Sequence, residues 1–126
     1  MILLDTHVWA WTIHDTDELS ETAIELIGSA EVFVSPVSFY EIGNKVRIGK
    51  WPEMTPYAER LPRILREQGM RESVLDANVM QWAACHGWRN RDPFDRMLAA
   101  TARSAGYRFV TKDAVFRELP GLDVIW

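Results

Sequence analysis

Four carboxylates, Asp5, Glu41, Asp95 and Asp113, lie far apart in this chain but at matching points of its local pattern. Each stands where an apolar, strand-like run gives way to a helical one, or within the first turn of a helix. Acids so placed can converge on one point. A cluster of carboxylate oxygens without histidine or cysteine ligands suits a hard cation such as Mg²⁺ or Mn²⁺. Each acid also has a simpler role. Ser38-Phe39-Tyr40-Glu41 reads as a capping box, with Ser38 as N-cap and Glu41 at N3. Asp92-Pro93-Phe94-Asp95 has the same form, with Asp92 as N-cap, Pro93 at N1 and Asp95 at N3. Asp113 can cap the last helix, and Asp5 or Thr6 the first. Capping does not account for all of them. Asp92 and Pro93 already start their helix without an acid at 95. A lone carboxylate at position 5, behind a buried strand, is costly unless paired or metal-bound. Convergent acids would also repel one another and raise at least one pKa.

The elements that must position these acids are short and regularly interrupted. Strands are expected at 1–4, 31–35, 71–75, 107–111 and 122–126, most of them rich in β-branched and aromatic residues. Helices are expected at 8–13, 18–27, 39–48, 57–68, 77–86 and 93–104, with a last turn at 114–119. Pro62 is expected to bend or split the fourth. Gly87 and Gly106 sit where helices commonly stop. Strands alternating with helices imply an α/β fold with a central, mostly parallel sheet covered on both faces. Ligands of such sheets bind beyond the carboxyl ends of the strands, where Asp5 and Asp113 fall.

At 126 residues the chain is expected to form one domain, 1–126, and its 48% hydrophobic content supplies a core. A charged fraction of 25% suits a globular protein. No apolar run approaches the roughly 20 residues that span a bilayer. The first residues lack the basic and apolar regions of a signal peptide. The single cysteine, Cys85, cannot make an internal disulfide. Together these point to a cytoplasmic protein with no membrane partner. A net charge of −4 argues against a general nucleic-acid coat, but not against an enzyme that meets a polyanion through local basic patches.

The motifs carry a family resemblance. Ile2-Leu3-Leu4-Asp5-Thr6-His7-Val8 opens the chain as PIN-domain nucleases open. Val37-Ser38-Phe39-Tyr40-Glu41-Ile42, followed by Lys45-Val46-Arg47-Ile48-Gly49-Lys50, resembles their second acidic motif. Arg91-Asp92-Pro93-Phe94-Asp95-Arg96-Met97-Leu98-Ala99-Ala100 is the most distinctive segment, and Val110-Thr111-Lys112-Asp113 resembles the closing motif. The likeness is nearest to the single-domain VapC-type toxins of bacterial toxin–antitoxin pairs. It departs at Asn90, where that group often has histidine.

The resemblance implies a PIN-like three-layer fold and a ribonuclease using Mg²⁺ or Mn²⁺. Asp5 and Asp95 would be the primary metal ligands, Glu41 would complete the cluster, and Asp113 would be the more variable fourth acid. Thr6 and Thr111 would hydrogen-bond metal-bound water or substrate, and Asp92 would cap or support. The partners implied are RNA, a cognate VapB-like antitoxin and a second copy of the chain.

Lys45, Arg47, Lys50, Arg89, Arg91 and Arg96 flank the acids and are candidates to guide an RNA backbone, with Arg96 alternatively an ion-pair partner of Asp95. Trp51 and Trp88 are candidates for base stacking or burial. His7, His14, His86 and Cys85 lack ligand spacing and read as structural or surface residues. Leu61, Ile64 and Leu65, with Val8 to Trp11, are read either as a groove for an antitoxin helix or as ordinary core. Two other readings stand beside the nuclease. One is a phosphorylatable receiver domain, with Asp76 as phosphoacceptor. The other is a PIN fold kept as a non-catalytic binding module.

Overall fold

The computed structural model describes all residues from Met1 to Trp126. Five strands form one sheet in the order β3-β2-β1-β4-β5, and every pairing is parallel. They are β1 (Ile2–Leu4), β2 (Val32–Val34), β3 (Arg71–Glu72), β4 (Arg108–Val110) and β5 (Val124–Ile125). Six helices connect and cover them: α1 (Thr6–His14), α2 (Glu21–Ser29), α3 (Pro36–Arg47), α4 (Leu61–Glu67), α5 (Ala77–Cys85) and α6 (Pro93–Ala105). The last expected turn is a 3₁₀ helix over Ala114–Glu118.

The central strand explains the three layers. All of β1 is buried, as its unbroken apolar run requires in a sheet covered on both faces. Its side chains alternate between faces. Ile2 and Leu4 join Val8, Trp9, Ala23, Ile42, Leu61 and Leu65 in one core. Leu3 joins Leu98, Ala99, Ala102, Phe109 and Phe116 in the other. Leu61 and Leu65 are therefore core residues packed with the α1 region, although Leu65 also lines an open groove with Phe39, Pro62 and Met70.

Strand order reverses about β1, with β2 and β3 on one side and β4 and β5 on the other. A crevice opens beyond the carboxyl ends of the strands at such a switch point. The order also excludes the receiver reading, whose fold runs 2-1-3-4-5. Asp76 is the N-cap of α5, accepting from the Val79 N–H, and does not lie at a strand end.

Three local expectations need correction. The α3 helix starts at Pro36 with Ser35 as N-cap, so Ser38 lies inside it and there is no Ser38–Glu41 capping box. Pro36 at N1 explains the earlier start, since its missing N–H costs nothing there. Pro62 neither bends nor splits a helix; it occupies the first turn of a shorter one. The second expected helix divides into a 3₁₀ turn, Thr16–Glu18, and α2, because Ser20 caps a new start by accepting from the Ala23 N–H.

Candidate active site

One cleft of about 370 Å³ opens at the switch point, lined by Asp5, Glu41, Asp92, Asp95, Asp113, His7, Val8, Trp11, Lys45 and Lys112. Asp5 ends β1 and caps α1, and its carboxylate is held from both sides. Oδ1 accepts from the Thr6 N–H at 2.7 Å, and Oδ2 accepts from the Thr111 hydroxyl at 2.6 Å. Thr111 and Asp113 follow β4, which lies beside β1, so residues 106 positions apart meet because two strands are neighbours. Glu41 enters from the second turn of α3 and is ion-paired to Lys45, one turn further on, at 2.5 Å. Asp95 stands at N3 of α6, behind the N-cap Asp92, and its Oδ2 accepts from Asn90 Nδ2 at 3.0 Å.

Burial dominates the electrostatics. Asp5 is 7% exposed, and its pKa rises to about 6. Desolvation is the main cause; the hydrogen bonds from Thr111 and Thr6 oppose it, and Glu41 and Asp113 add repulsion. Asp95 rises to about 7, again chiefly by desolvation, opposed by Asn90 and reinforced by Asp92, Asp5 and Asp113. The expected mutual repulsion is present but secondary. Neither Asp5 nor Asp95 has a cationic side chain bonded to it.

A raised carboxyl pKa means that the folded chain holds protons the unfolded chain has released. Stability conferred by the neutral form is full below about pH 4 and is lost as pH rises through about 6 to 7. The metal-free protein is therefore expected to melt at a lower temperature at pH 8 than at pH 5.5. The Asp5→Asn variant should show a flatter dependence across that range. Parallel melting curves of wild type and variant would rule out this origin.

The donor set fits a divalent cation. It consists of hard carboxylate oxygens, and two of the acids, the buried Asp5 and the half-buried Asp95, lack a counter-charge. No three His, Cys, Asp or Glu side chains are already disposed to grip an ion. Each acid instead rests on a protein donor: Glu41 on Lys45, Asp95 on Asn90, and Asp113 on the Val115 N–H. Lys45 engages only Oε2 of Glu41, which leaves Oε1 for a cation.

Several supporting residues differ from the sequence-based expectation. Thr6 is fully buried and its hydroxyl bonds to Ser38 at 2.8 Å, tying α1 to α3, so it does not face the cleft. Arg96 makes no ion pair with Asp95. Its guanidinium donates to the carbonyls of Ala83, His86, Trp88 and Asn90, which commits four of its five N–H groups to the protein's own backbone. Arg47 bonds Asn44 on the exposed surface, and Lys50 and Arg91 are exposed outside the cleft wall. Arg89 is bonded to Glu118 through two nitrogens. Trp51 is buried, stacked on His7 with ring centroids 4.8 Å apart, and Trp88 packs on Phe116. His7, Lys112 and Trp11 also line the cleft, where none of them was expected. The signal was their spacing: two and six positions beyond Asp5 on α1, and one before Asp113.

The PIN-domain family model matches residues 2–122. The chain therefore belongs to the PIN-domain family. It is 32% identical over 120 residues to Ribonuclease VapC22 of Mycobacterium tuberculosis, covering 92% of this chain and 89% of that one. Its fold is similar to the Rickettsia felis VapBC2 structure bound to a promoter DNA fragment, with a TM-score of 0.70, 17% identity, and coverage of 99% and 98% of the two chains. A Klebsiella pneumoniae toxin–antitoxin complex matches with a TM-score of 0.68 and 14% identity, over 100% of this chain and 97% of that one.

Proposed function

We propose that residues 1–126 act as a single PIN domain, a divalent-metal-dependent endoribonuclease of the VapC type held inactive by a cognate VapB-like antitoxin. The observation that carries the reading is the convergence of Asp5, Glu41, Asp95 and Asp113 on one cleft at the sheet's switch point. The names of the relatives support the ribonuclease class and the antitoxin partner. The non-catalytic alternative would have no use for a buried Asp5 and a half-buried Asp95 kept without a counter-charge, at a cost in stability.

Asp5 and Asp95 would hold Mg²⁺ or Mn²⁺, with Glu41 and Asp113 completing the set directly or through water. The bound cation supplies a water of lowered pKa and neutralises charge developing on the phosphate. The chain does the rest by positioning. Thr111 fixes the rotation of the Asp5 carboxylate, and Asn90 fixes that of Asp95. The α6 N-terminus favours the ionised form of Asp95 once a cation offsets its burial. No helix is long and apolar enough to cross a membrane. A cytoplasmic homodimer in complex with antitoxin fits this role.

Incubating the purified, antitoxin-free protein with single-stranded RNA tests the reading. Cleavage is expected with Mg²⁺ or Mn²⁺ and is expected to stop in excess EDTA, returning when metal is restored. RNA left intact with either metal would overturn the assignment, and undiminished cleavage in EDTA would overturn its metal dependence.

A further inference from the structure

The acid cleft contains two lysines in different situations. Lys45 is committed, because its ammonium pairs with Glu41 at 2.5 Å and lies 5.5 Å from the Trp51 ring centre. Lys112 has no carboxylate partner. Its side chain is exposed in the cleft wall, with the ammonium 5.8 Å from the centre of the Trp11 ring.

The backbone around Lys112 is anchored on both sides. Thr111 N–H donates to the Ile125 carbonyl at 3.0 Å, and the Thr111 hydroxyl holds Asp5. Asp113 N–H donates back to Thr111 Oγ1 at 3.0 Å, and the Asp113 carboxylate caps the following 3₁₀ helix. A lysine between these fixed points has a well-defined origin but a mobile tip. Trp11 is itself braced by Trp126, with ring centroids 5.9 Å apart. The indole face attracts the ammonium without neutralising it, so the charge stays available to an incoming anion.

We propose that Lys112 binds the substrate: its ammonium, guided by Trp11, takes a phosphate of the single-stranded RNA next to the one being cleaved. This rests on the ribonuclease reading above and adds the residue that draws a polyanion into a cleft lined with acids. In a protein of net charge −4, one uncommitted cation at the cleft wall gives a local attraction that the overall charge does not. A lysine acts here as a point charge on a flexible stem, which suits a phosphate that arrives and leaves.

The competing role for Lys112 is to offset repulsion among the acids, and steady-state kinetics separate the two. With a single-stranded oligoribonucleotide and saturating Mg²⁺, Lys112→Ala is expected to raise KM about tenfold, the lower range for a charge-assisted contact. Its kcat should stay within about twofold of wild type. The plot of log kcat/KM against log salt should become shallower by about 0.7, the contribution of one single-strand phosphate contact. Lys112→Arg should restore most of the KM and the salt slope. A wild-type KM and salt slope in Lys112→Ala, with cleavage intact, would overturn this proposal and leave the ribonuclease reading standing. A wild-type protein that cuts no RNA overturns both.

Discussion

Asp5→Asn and Asp95→Asn are each expected to lower RNA cleavage by roughly a thousandfold or more. The estimate follows from the several kcal/mol a correctly held cation contributes to the barrier. Asparagine matches aspartate in shape, so the substitutions remove charge more than volume. At position 5 the amide oxygen can still accept from the Thr6 N–H, and the amide nitrogen can donate to Thr111 Oγ1. The metal-free Asp5→Asn protein should be at least as stable as wild type near pH 8, by about 1–3 kcal/mol. The reason is that an ionised carboxylate with a pKa of about 6 no longer has to be kept out of water. Asparagine caps a helix as well as aspartate does, so loss of activity with gain of stability assigns the lost activity to the missing charge and not to a lost cap or to unfolding. Initial rates with Mg²⁺, alongside thermal melts of the same preparations, make the measurement. Either variant cleaving at the wild-type rate would remove its aspartate from the site.

Asp113→Asn should cost less than either. Asp113 is exposed, and one of its oxygens is occupied by the Val115 N–H.

The sequence made the sheet legible because parallel strands are buried on both faces and read as short unbroken apolar runs. Ile2-Leu3-Leu4 and Phe109-Val110 could be placed on that ground alone. Asp92 and Pro93 marked the start of α6 for an equally local reason. The convergence of the acids was legible because strand ends point to one edge of such a sheet, and the family motifs ranked them. What failed was the choice between nearby helix starts and between partners of long side chains. Ser35 and Ser38 are both competent caps. Only the position of β2 and the N1 preference of Pro36 select the first. Thr6 and Thr111 looked equivalent beside their acids, yet a buried hydroxyl takes whichever partner tertiary packing supplies. That partner is Ser38 for one and Asp5 for the other. Arg96 next to Asp95 suggested an ion pair. Adjacent helical positions do not face each other, however, so the guanidinium reaches the loop before the helix instead.

Arg96 carries the second large effect, and it is one of stability. Its planar fork fastens the segment that links α5 to α6 by donating to carbonyls at 83, 86, 88 and 90. The last of these belongs to Asn90, whose side chain in turn holds Asp95. Arg96→Leu keeps the helix and the aliphatic stem. It leaves four carbonyls to find water or remain unpaired, at about 1–3 kcal/mol for each that stays buried. Partial access to solvent reduces the sum, so a loss of about 2–4 kcal/mol is expected from urea denaturation. Arg96→Lys should recover little, because an ammonium cannot span a fan of acceptors that a five-donor plane satisfies together. A smaller fall in kcat should accompany the loss even at temperatures where the variant is fully folded. Once Asn90 is no longer pinned, the Asp95 carboxylate samples rotations that do not serve the site. If Arg96 instead met the RNA backbone, Arg96→Leu would leave the urea midpoint unchanged and flatten the salt dependence of kcat/KM. The four carbonyl bonds predict the opposite pair of results: a lowered midpoint and an unchanged salt slope.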